Sequence, residues 1–271
     1  MSKGVLVDIT RCIACRSCMV SCKSWNDLPS NPSTFSNNWD SPGKTDSNNW
    51  TVVTNHMIED GDQIKWRFVK RQCMHCLEPG CESACFTHAF VKTKEGAVIY
   101  KPTELDQDYC VGCRYCMIAC PFGVPSFQWE KTFPYVQKCR FCYDRMKEEG
   151  MEPACVTSCP TQTLKYGDRD ELLAEARDRI NKNPNYVKHI YGEKEYGGTS
   201  WLYISDVPFE KLGFRTNVSE KSIPSYTWDV LKWTPAIFFG WGAILTAMRA
   251  YTKRRAEVHN EEDMYAPVDD E

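Results

Sequence analysis

The stretch Cys110-Val111-Gly112-Cys113-Arg114-Tyr115-Cys116-Met117-Ile118-Ala119-Cys120-Pro121 sets four thiols at the spacing Cys-x2-Cys-x2-Cys-x3-Cys-Pro. Three cysteines at three-residue intervals can line one side of a loop, so that their thiolates converge on one [4Fe–4S] cubane while backbone N–H groups face its sulfides. The fourth stands one helical turn further on and reaches a second cluster, so one copy of the motif implies a pair. The spacing recurs unchanged at Cys12, Cys15, Cys18 and Cys22. It recurs with four residues in the middle gap at Cys73, Cys76, Cys81 and Cys85, and with twelve at Cys139, Cys142, Cys155 and Cys159. These sets use all sixteen cysteines, which matches four cubanes at four ligands each with none left over.

Two other uses of cysteine fit less well. A disulfide framework also has an even count, but it belongs to small chains short of apolar core, and this chain has 271 residues, 42% of them hydrophobic. Zinc ribbons pair two Cys-x2-Cys knuckles across a long gap, whereas two of these sets pack three cysteines into seven residues and end in Cys-x3-Cys. The net charge of −3 gives no reason to expect a nucleic acid partner.

The elements that must position the thiols are legible around them. Residues 4–9 alternate in the manner of a strand leading into the first motif. Residues 28–49, rich in Asn, Ser, Pro and Gly, read as a long surface loop suited to docking another subunit. Residues 50–55 and 64–70 read as strands about the turn Glu59-Asp60-Gly61-Asp62, and residues 90–93 and 97–100 as a hairpin about Lys94-Glu95-Gly96. A short exposed helix is expected at 144–149 and further strands at 163–166 and 201–204. Residues 168–181 form the clearest soluble helix, with Asp168 and Asp170 as candidate caps and Leu172, Leu173, Ala176 and Ile180 on one face. The glycines in Tyr191-Gly192-Glu193-Lys194-Glu195-Tyr196-Gly197-Gly198-Thr199 lack the Lys-Ser/Thr and following helix of a phosphate loop, so they read as structural.

Residues 233–248 carry no charge and are bounded by Lys232 and Arg249. Sixteen residues fall short of the roughly 20 needed to span a bilayer, but Tyr226, Trp228, Trp233 and Tyr251 suit the interfaces, and the flanking cations can snorkel. Ala236, Gly240, Ala243 and Ala247 would let another membrane helix approach. Arg249, Lys253, Arg254 and Arg255 outnumber Lys221 and Lys232, which predicts a cytoplasmic C-terminus and a periplasmic cluster domain. Residues 1–11 lead straight into the first motif without an export signal, so export alongside a partner is expected.

With these residues in view, the chain resembles the four-cluster ferredoxin-like subunits of membrane-bound respiratory oxidoreductases. The likeness is strongest to the formate dehydrogenase beta subunit and extends to the matching subunit of quinone-linked nickel–iron hydrogenases. It rests on the order of the four motifs, Trp25-Asn26-Asp27, Cys73-Met74-His75-Cys76, Glu152-Pro153-Ala154-Cys155, Tyr191-Gly192-Glu193-Lys194 and the single C-terminal membrane helix.

The resemblance implies crossed ligation. Cys12, Cys15 and Cys18 would share a cluster with Cys159, and Cys139, Cys142 and Cys155 with Cys22. Likewise Cys73, Cys76 and Cys81 would join Cys120, and Cys110, Cys113 and Cys116 would join Cys85. Phe86 departs from the proline usual after the cysteine. The implied architecture is α+β, with two pseudo-symmetric double-cluster ferredoxin-like halves in residues 1–205, motifs 1 and 4 in one and motifs 2 and 3 in the other. A linker at 206–229, a transmembrane anchor at 230–251 and an acidic tail at 252–271 would follow.

The implied role is an electron wire in the bacterial inner membrane, without catalysis of its own. It would run from a molybdenum- or tungsten-pterin catalytic subunit, formate dehydrogenase first and nickel–iron hydrogenase second, to a quinone-linked or cytochrome b membrane subunit. His75 and His88 lie near the motifs, but cysteine fills every ligand position, so both read as supporting residues.

Overall fold

The apolar run near the N-terminus becomes strand β1 (Lys3–Asp8), in a computed structural model that describes residues 2–264 except 34, 38, 101–109 and 133. Residues 265–271 of the expected acidic tail lie outside that set. The alternation expected of residues 4–9 gives way to burial on both faces. Val5, Val7 and Ile9 pack with Trp201 and Tyr203, while Leu6 packs with Leu202 and Ile204 on the opposite side. A strand covered on both sides reads as a continuous apolar run, and Val5-Leu6-Val7 is one.

Along the chain follow α1 (Ser17–Trp25), the strands β2 (Val52–Asp60) and β3 (Gln63–Arg71), α2 (Gly80–Ser83), β4 (Phe90–Lys92) and β5 (Val98–Tyr100). Then come α3 (Tyr115–Ile118), β6 (Ser126–Phe127), β7 (Val136–Gln137), α4 (Tyr143–Glu148), α5 (Ala154–Thr157), β8 (Leu164–Asp168), α6 (Arg169–Lys182) and β9 (Trp201–Ile204). β1 is the middle of a three-stranded sheet, antiparallel to β8 from Lys3↔Asp168 to Val7↔Leu164 and parallel to β9 from Val5↔Trp201 to Asp8↔Ile204. β2–β3, β4–β5 and β6–β7 are separate antiparallel pairs. The described residues between 28 and 49 are irregular but tied down. Lys23 donates to the carbonyls of Pro29 and Asn48, and Asp46 accepts from the backbone N–H of Asn48 and Asn49.

Helix α6 buries Leu172, Leu173 and Ala176 against the sheet, with Ile180 half-buried beside them. Its capping differs from expectation. Asp168 stands at the N-cap in an extended conformation but makes no side-chain cap bond; its carboxylate pairs instead with Lys3 Nζ at 3.0 Å. The glycine-rich loop is structural. Gly192 has φ +95°, and a Cβ there would lie 2.2 Å from the Trp201 carbonyl oxygen.

Residues 206–229, expected as a linker, begin as packed core: Phe209, Leu212 and Phe214 are buried with Tyr191 and Tyr203. The first compact unit runs to Pro224, and the described residues from Ser225 onward form the second. α7 (Ile223–Leu231) and α8 (Thr234–Met264) are separated only by Lys232 and Trp233. The segment Ile223–Val258 is long and apolar enough to cross a membrane, with Phe238, Phe239, Trp241 and Leu245 all exposed.

Candidate metal centre

The first Cys-x2-Cys step of each motif turns on a residue of positive φ at its second intervening position: Ala14 (56°), His75 (50°), Gly112 (68°) and Phe141 (63°). Turns of this kind aim successive N–H groups into one concavity, an arrangement suited to anions and to iron–sulfur sites. For a residue other than glycine the conformation costs of order 1–3 kcal/mol and persists where its surroundings impose it. Arg16 and Arg114, at matching positions before the helices α1 and α3, repeat it with φ 59° and 62°.

The cysteines that close the motifs have their own recurring geometry. Three residues after Cys85, Cys120 and Cys159 stand His88, Gly123 and Gln162, all with positive φ. The next residue then turns its N–H toward the sulfur: Ala89 donates to Cys85 Sγ at 3.3 Å, Val124 donates to Cys120, and Thr163 to Cys159. Thr87 Oγ1 lies 3.3 Å from Cys85 Sγ and Thr161 Oγ1 3.8 Å from Cys159 Sγ. Phe86 leaves this geometry at Cys85 intact, so proline is not needed to form it.

The thiols gather across the motifs. One cavity is lined by Cys22, Cys139, Cys142 and Cys155 together with Asn26, Lys70, Phe141 and Trp201. Cys12 lies in the field of Cys159 and Cys15, Cys76 in that of Cys73, Cys120 and Cys81, and Cys116 in that of Cys110, Cys85 and Cys113. Between these neighbourhoods, Cys18 senses Cys155, Cys139 senses Cys73, and Cys81 senses Cys116. Among the described residues no three Cys, His, Asp or Glu side chains stand close enough to hold one metal ion. The thiols thus neighbour one another without single-ion geometry. Cys15 and Cys113 are exposed, whereas Cys22, Cys73, Cys81, Cys116, Cys142 and Cys155 are buried.

Burial pushes the thiols of Cys18, Cys22, Cys81 and Cys116 up to about 12 and that of Cys142 to about 11, with neighbouring thiolates adding to the effect. Cys159 goes the other way. Burial opposes its ionisation, but N–H donors from Leu164 and Thr163 and the Thr161 hydroxyl outweigh that and hold it below the ordinary thiol range. Grouped buried thiols ringed by N–H donors and lacking any disulfide fit an iron–sulfur cluster, whose iron would take the place of the protons.

Sequence reasoning missed the cations among these thiols. Lys70 and Lys138 are 3% exposed, and Lys92 Nζ donates to the carbonyls of His75 and Gly96. Burial lowers Lys92 to about 8, while at Lys70 the thiolates of Cys155, Cys18 and Cys139 overcome burial and raise it. A lysine in an alternating strand reads as exposed, so nothing in the sequence marks them. His75 is fully buried and stacks on Phe141 at 4.8 Å between ring centroids, and its Nδ1 accepts the Val98 N–H at 2.9 Å. Burial and the nearby Lys138, Lys92 and Lys70 hold it well below the usual imidazole range. His88 is exposed. Asn26 of Trp25-Asn26-Asp27 donates to the Cys22 carbonyl at 2.8 Å and approaches Cys22 Sγ at 3.7 Å, while Arg145 stacks over Trp25 at 4.5 Å.

Comparison with known proteins points to the same kind of cofactor. The 4Fe-4S dicluster domain matches residues 64–169, and a second family of the same description matches residues 11–89; together they cover every cysteine. A protein from Nitratidesulfovibrio vulgaris is 44% identical over 269 residues, 98% of this chain and 70% of its own length. The hydrogenase-2 operon protein HybA of Escherichia coli O157:H7 is 34% identical over 242 residues, 78% of this chain and 72% of its own. The formate dehydrogenase-O iron-sulfur subunit of Escherichia coli K12 is 32% identical over 254 residues, 89% of this chain and 80% of its own. The chain therefore belongs to the family of [4Fe–4S] electron-transfer subunits that includes HybA and the formate dehydrogenase iron–sulfur subunits.

Proposed function

We propose that this chain carries four [4Fe–4S] clusters and conducts electrons between a catalytic subunit and a membrane subunit. The cavity lined by Cys22, Cys139, Cys142 and Cys155 carries the reading, because it joins one cysteine from the first motif to three from the fourth, as crossed ligation requires. The remaining sets are Cys12, Cys15, Cys18 and Cys159; Cys73, Cys76, Cys81 and Cys120; and Cys85, Cys110, Cys113 and Cys116. The neighbour relations Cys18–Cys155, Cys139–Cys73 and Cys81–Cys116 support a linear order of the four, with exposed Cys15 and Cys113 in the two terminal sets. When bound, each cluster supplies a one-electron carrier. The chain's own part is to hold the thiolates, direct N–H donors at sulfur and exclude water from the inner sets. The two pairs of sets would then form two ferredoxin-like halves.

The catalytic partner we favour is a molybdenum- or tungsten-pterin formate dehydrogenase. HybA, a hydrogenase-2 operon protein, covers a comparable share of this chain and favours a nickel–iron hydrogenase as the second reading. The exposed apolar segment Ile223–Val258 supports a membrane anchor, and the basic residues after it support a periplasmic cluster domain with a quinone-linked partner. Purification from native membranes tests the whole proposal. About sixteen iron atoms per chain, with spectra of four reducible clusters, are expected from the sixteen thiols at four per cluster. Zinc without iron would refute it, and identification of the co-purified large subunit decides between the two chemistries.

A further inference from the structure

We propose that Lys70 is a fixed internal cation that raises the reduction potential of the cluster held by Cys22, Cys139, Cys142 and Cys155. This rests on the four-cluster reading above. Lys70 belongs to the wall of the cavity that those four thiols line. Its ammonium donates to Gln72 Oε1 at 2.9 Å and stands 4.3 Å from the centroid of the Trp201 ring, another wall of the same cavity.

The position is held by a closed circuit of hydrogen bonds. Gln72 Nε2 donates to Tyr203 Oη at 2.7 Å, and that hydroxyl donates back to the Lys70 carbonyl at 3.0 Å. Gln72 and Tyr203 are themselves buried, and the Trp201 face presented to Lys70 is one that favours a cation. An ammonium has three donors, and no carboxylate pairs with this one among the described residues. Buried charges are tolerated where an opposite charge meets them. The anions available here are the cysteine thiolates and the cluster they hold.

Reduction adds negative charge to a cluster, and a cation fixed nearby in a medium of low dielectric favours the added electron. Charge and hydrogen bonding around the sulfurs are what set these potentials. Cys18, of the adjoining set with Cys12, Cys15 and Cys159, also lies in the field of Lys70, so that cluster should feel a weaker version of the same effect.

The test is an EPR-monitored redox titration of the intact complex, with iron content measured alongside. Lys70→Met removes the charge at similar volume and Lys70→Arg keeps it. With iron content intact, Lys70→Met should make one couple at least about tenfold harder to reduce, a fall of about 59 mV for one electron. A second couple should fall less, two should stay in place, and Lys70→Arg should leave all four near their original values. Four unmoved couples in Lys70→Met, or an equal fall in Lys70→Arg, would overturn the assignment. If Lys70→Met loses iron, the wild-type complex labelled with nitrogen-15 at lysine Nζ decides. Pulsed EPR of the reduced sample should then detect one lysine nitrogen coupled to a cluster, and no lysine coupling overturns the proposal. Failure of the four-cluster reading looks different, because the wild-type complex would itself lack the iron and the spectra.

Discussion

The first and fourth motifs border a large core in which one buried member, Cys155, is a cysteine, whereas the second and third border a small core made in larger part of their own cysteines. Around β1 the buried set includes Val5, Val7, Ile9, Trp201, Tyr203, Phe209 and Leu212 on one side and Leu6, Leu172, Ala176, Leu202 and Ile204 on the other. The core beside the second and third motifs has seven buried members, of which Cys81 and Cys116 are two, and Cys85 and Cys110 pack against it. Its strands β4 to β7 are two or three residues long. Apolar packing dominates the first region, with Cys18 and Cys159 packed at its edge. In the second, the metal must supply part of what a larger core would, since binding to a site absent from the unfolded chain contributes directly to folding.

Removing iron should break this parity most visibly. After chelation, amides of β6 and β7, which pack on the small core only, should lose hydrogen-exchange protection well before those of β1 and β9; equal loss in both would refute the contrast. Thiols that burial holds near 12 are protonated in the iron-free chain at neutral pH, so reconstitution should release protons and become less favourable as pH falls. Proton uptake or release measured in weak buffer during reconstitution checks the sign.

Deleting a single ligand comes next. Cys116→Ser should abolish one cluster's spectrum and disturb the set containing Cys81, its neighbour across the short core, while leaving the spectrum assigned to Cys22, Cys139, Cys142 and Cys155. Unchanged iron content and spectra would remove the basis for treating that core as built on its thiols.

Core truncations sharpen the contrast. Leu6→Ala should cost about 2–5 kcal/mol and Phe90→Ala about 3–5 kcal/mol in the loaded protein. In the iron-free protein the Leu6→Ala penalty should persist and the Phe90→Ala penalty should largely vanish, because the packing around Phe90 would already be lost. Urea titrations of loaded and iron-free forms give both comparisons. A Phe90→Ala penalty that survives iron removal would mean the second core stands on its own.

What the sequence disclosed follows the same division. The candidate ligands were legible because Cys-x2-Cys geometry is local, and the four residues at the second intervening position of each motif's first step share one backbone conformation. Which distant cysteine joins each triplet was not a local matter; it came from resemblance, and the cavity joining Cys22 to the fourth motif depends on how α1 and α5 meet. The sheet strands were legible as elements, but the covering of β1 on both faces depends on α6 and on residues near 209 far along the chain. Lys70 was invisible for the opposite reason. A charged residue in a strand is ordinarily exposed, and only the tertiary arrangement puts this one between Gln72 and Trp201. The C-terminal helix extends well past the apolar run that announced it, since Arg254 and Glu257 are compatible with helix as well as with water.

Asp168 provides the smallest and most local test, at the junction of β8 and α6. Its sequence position predicts an N-cap, and capping residues replaced by alanine typically cost about 1 kcal/mol. The structure instead gives its carboxylate to Lys3, across the β1–β8 ladder, in a pair that is partly solvent-exposed and so contributes no more than about 1 kcal/mol. The two roles separate by substitution. Asparagine keeps the capping chemistry and loses the charge, whereas alanine loses both. If the ion pair is what matters, Asp168→Asn and Asp168→Ala should lower stability by similar small amounts, and both losses should shrink in high salt. A salt-insensitive loss confined to alanine would mean that the carboxylate caps α6 in solution and that β1 is tied to β8 by its backbone alone.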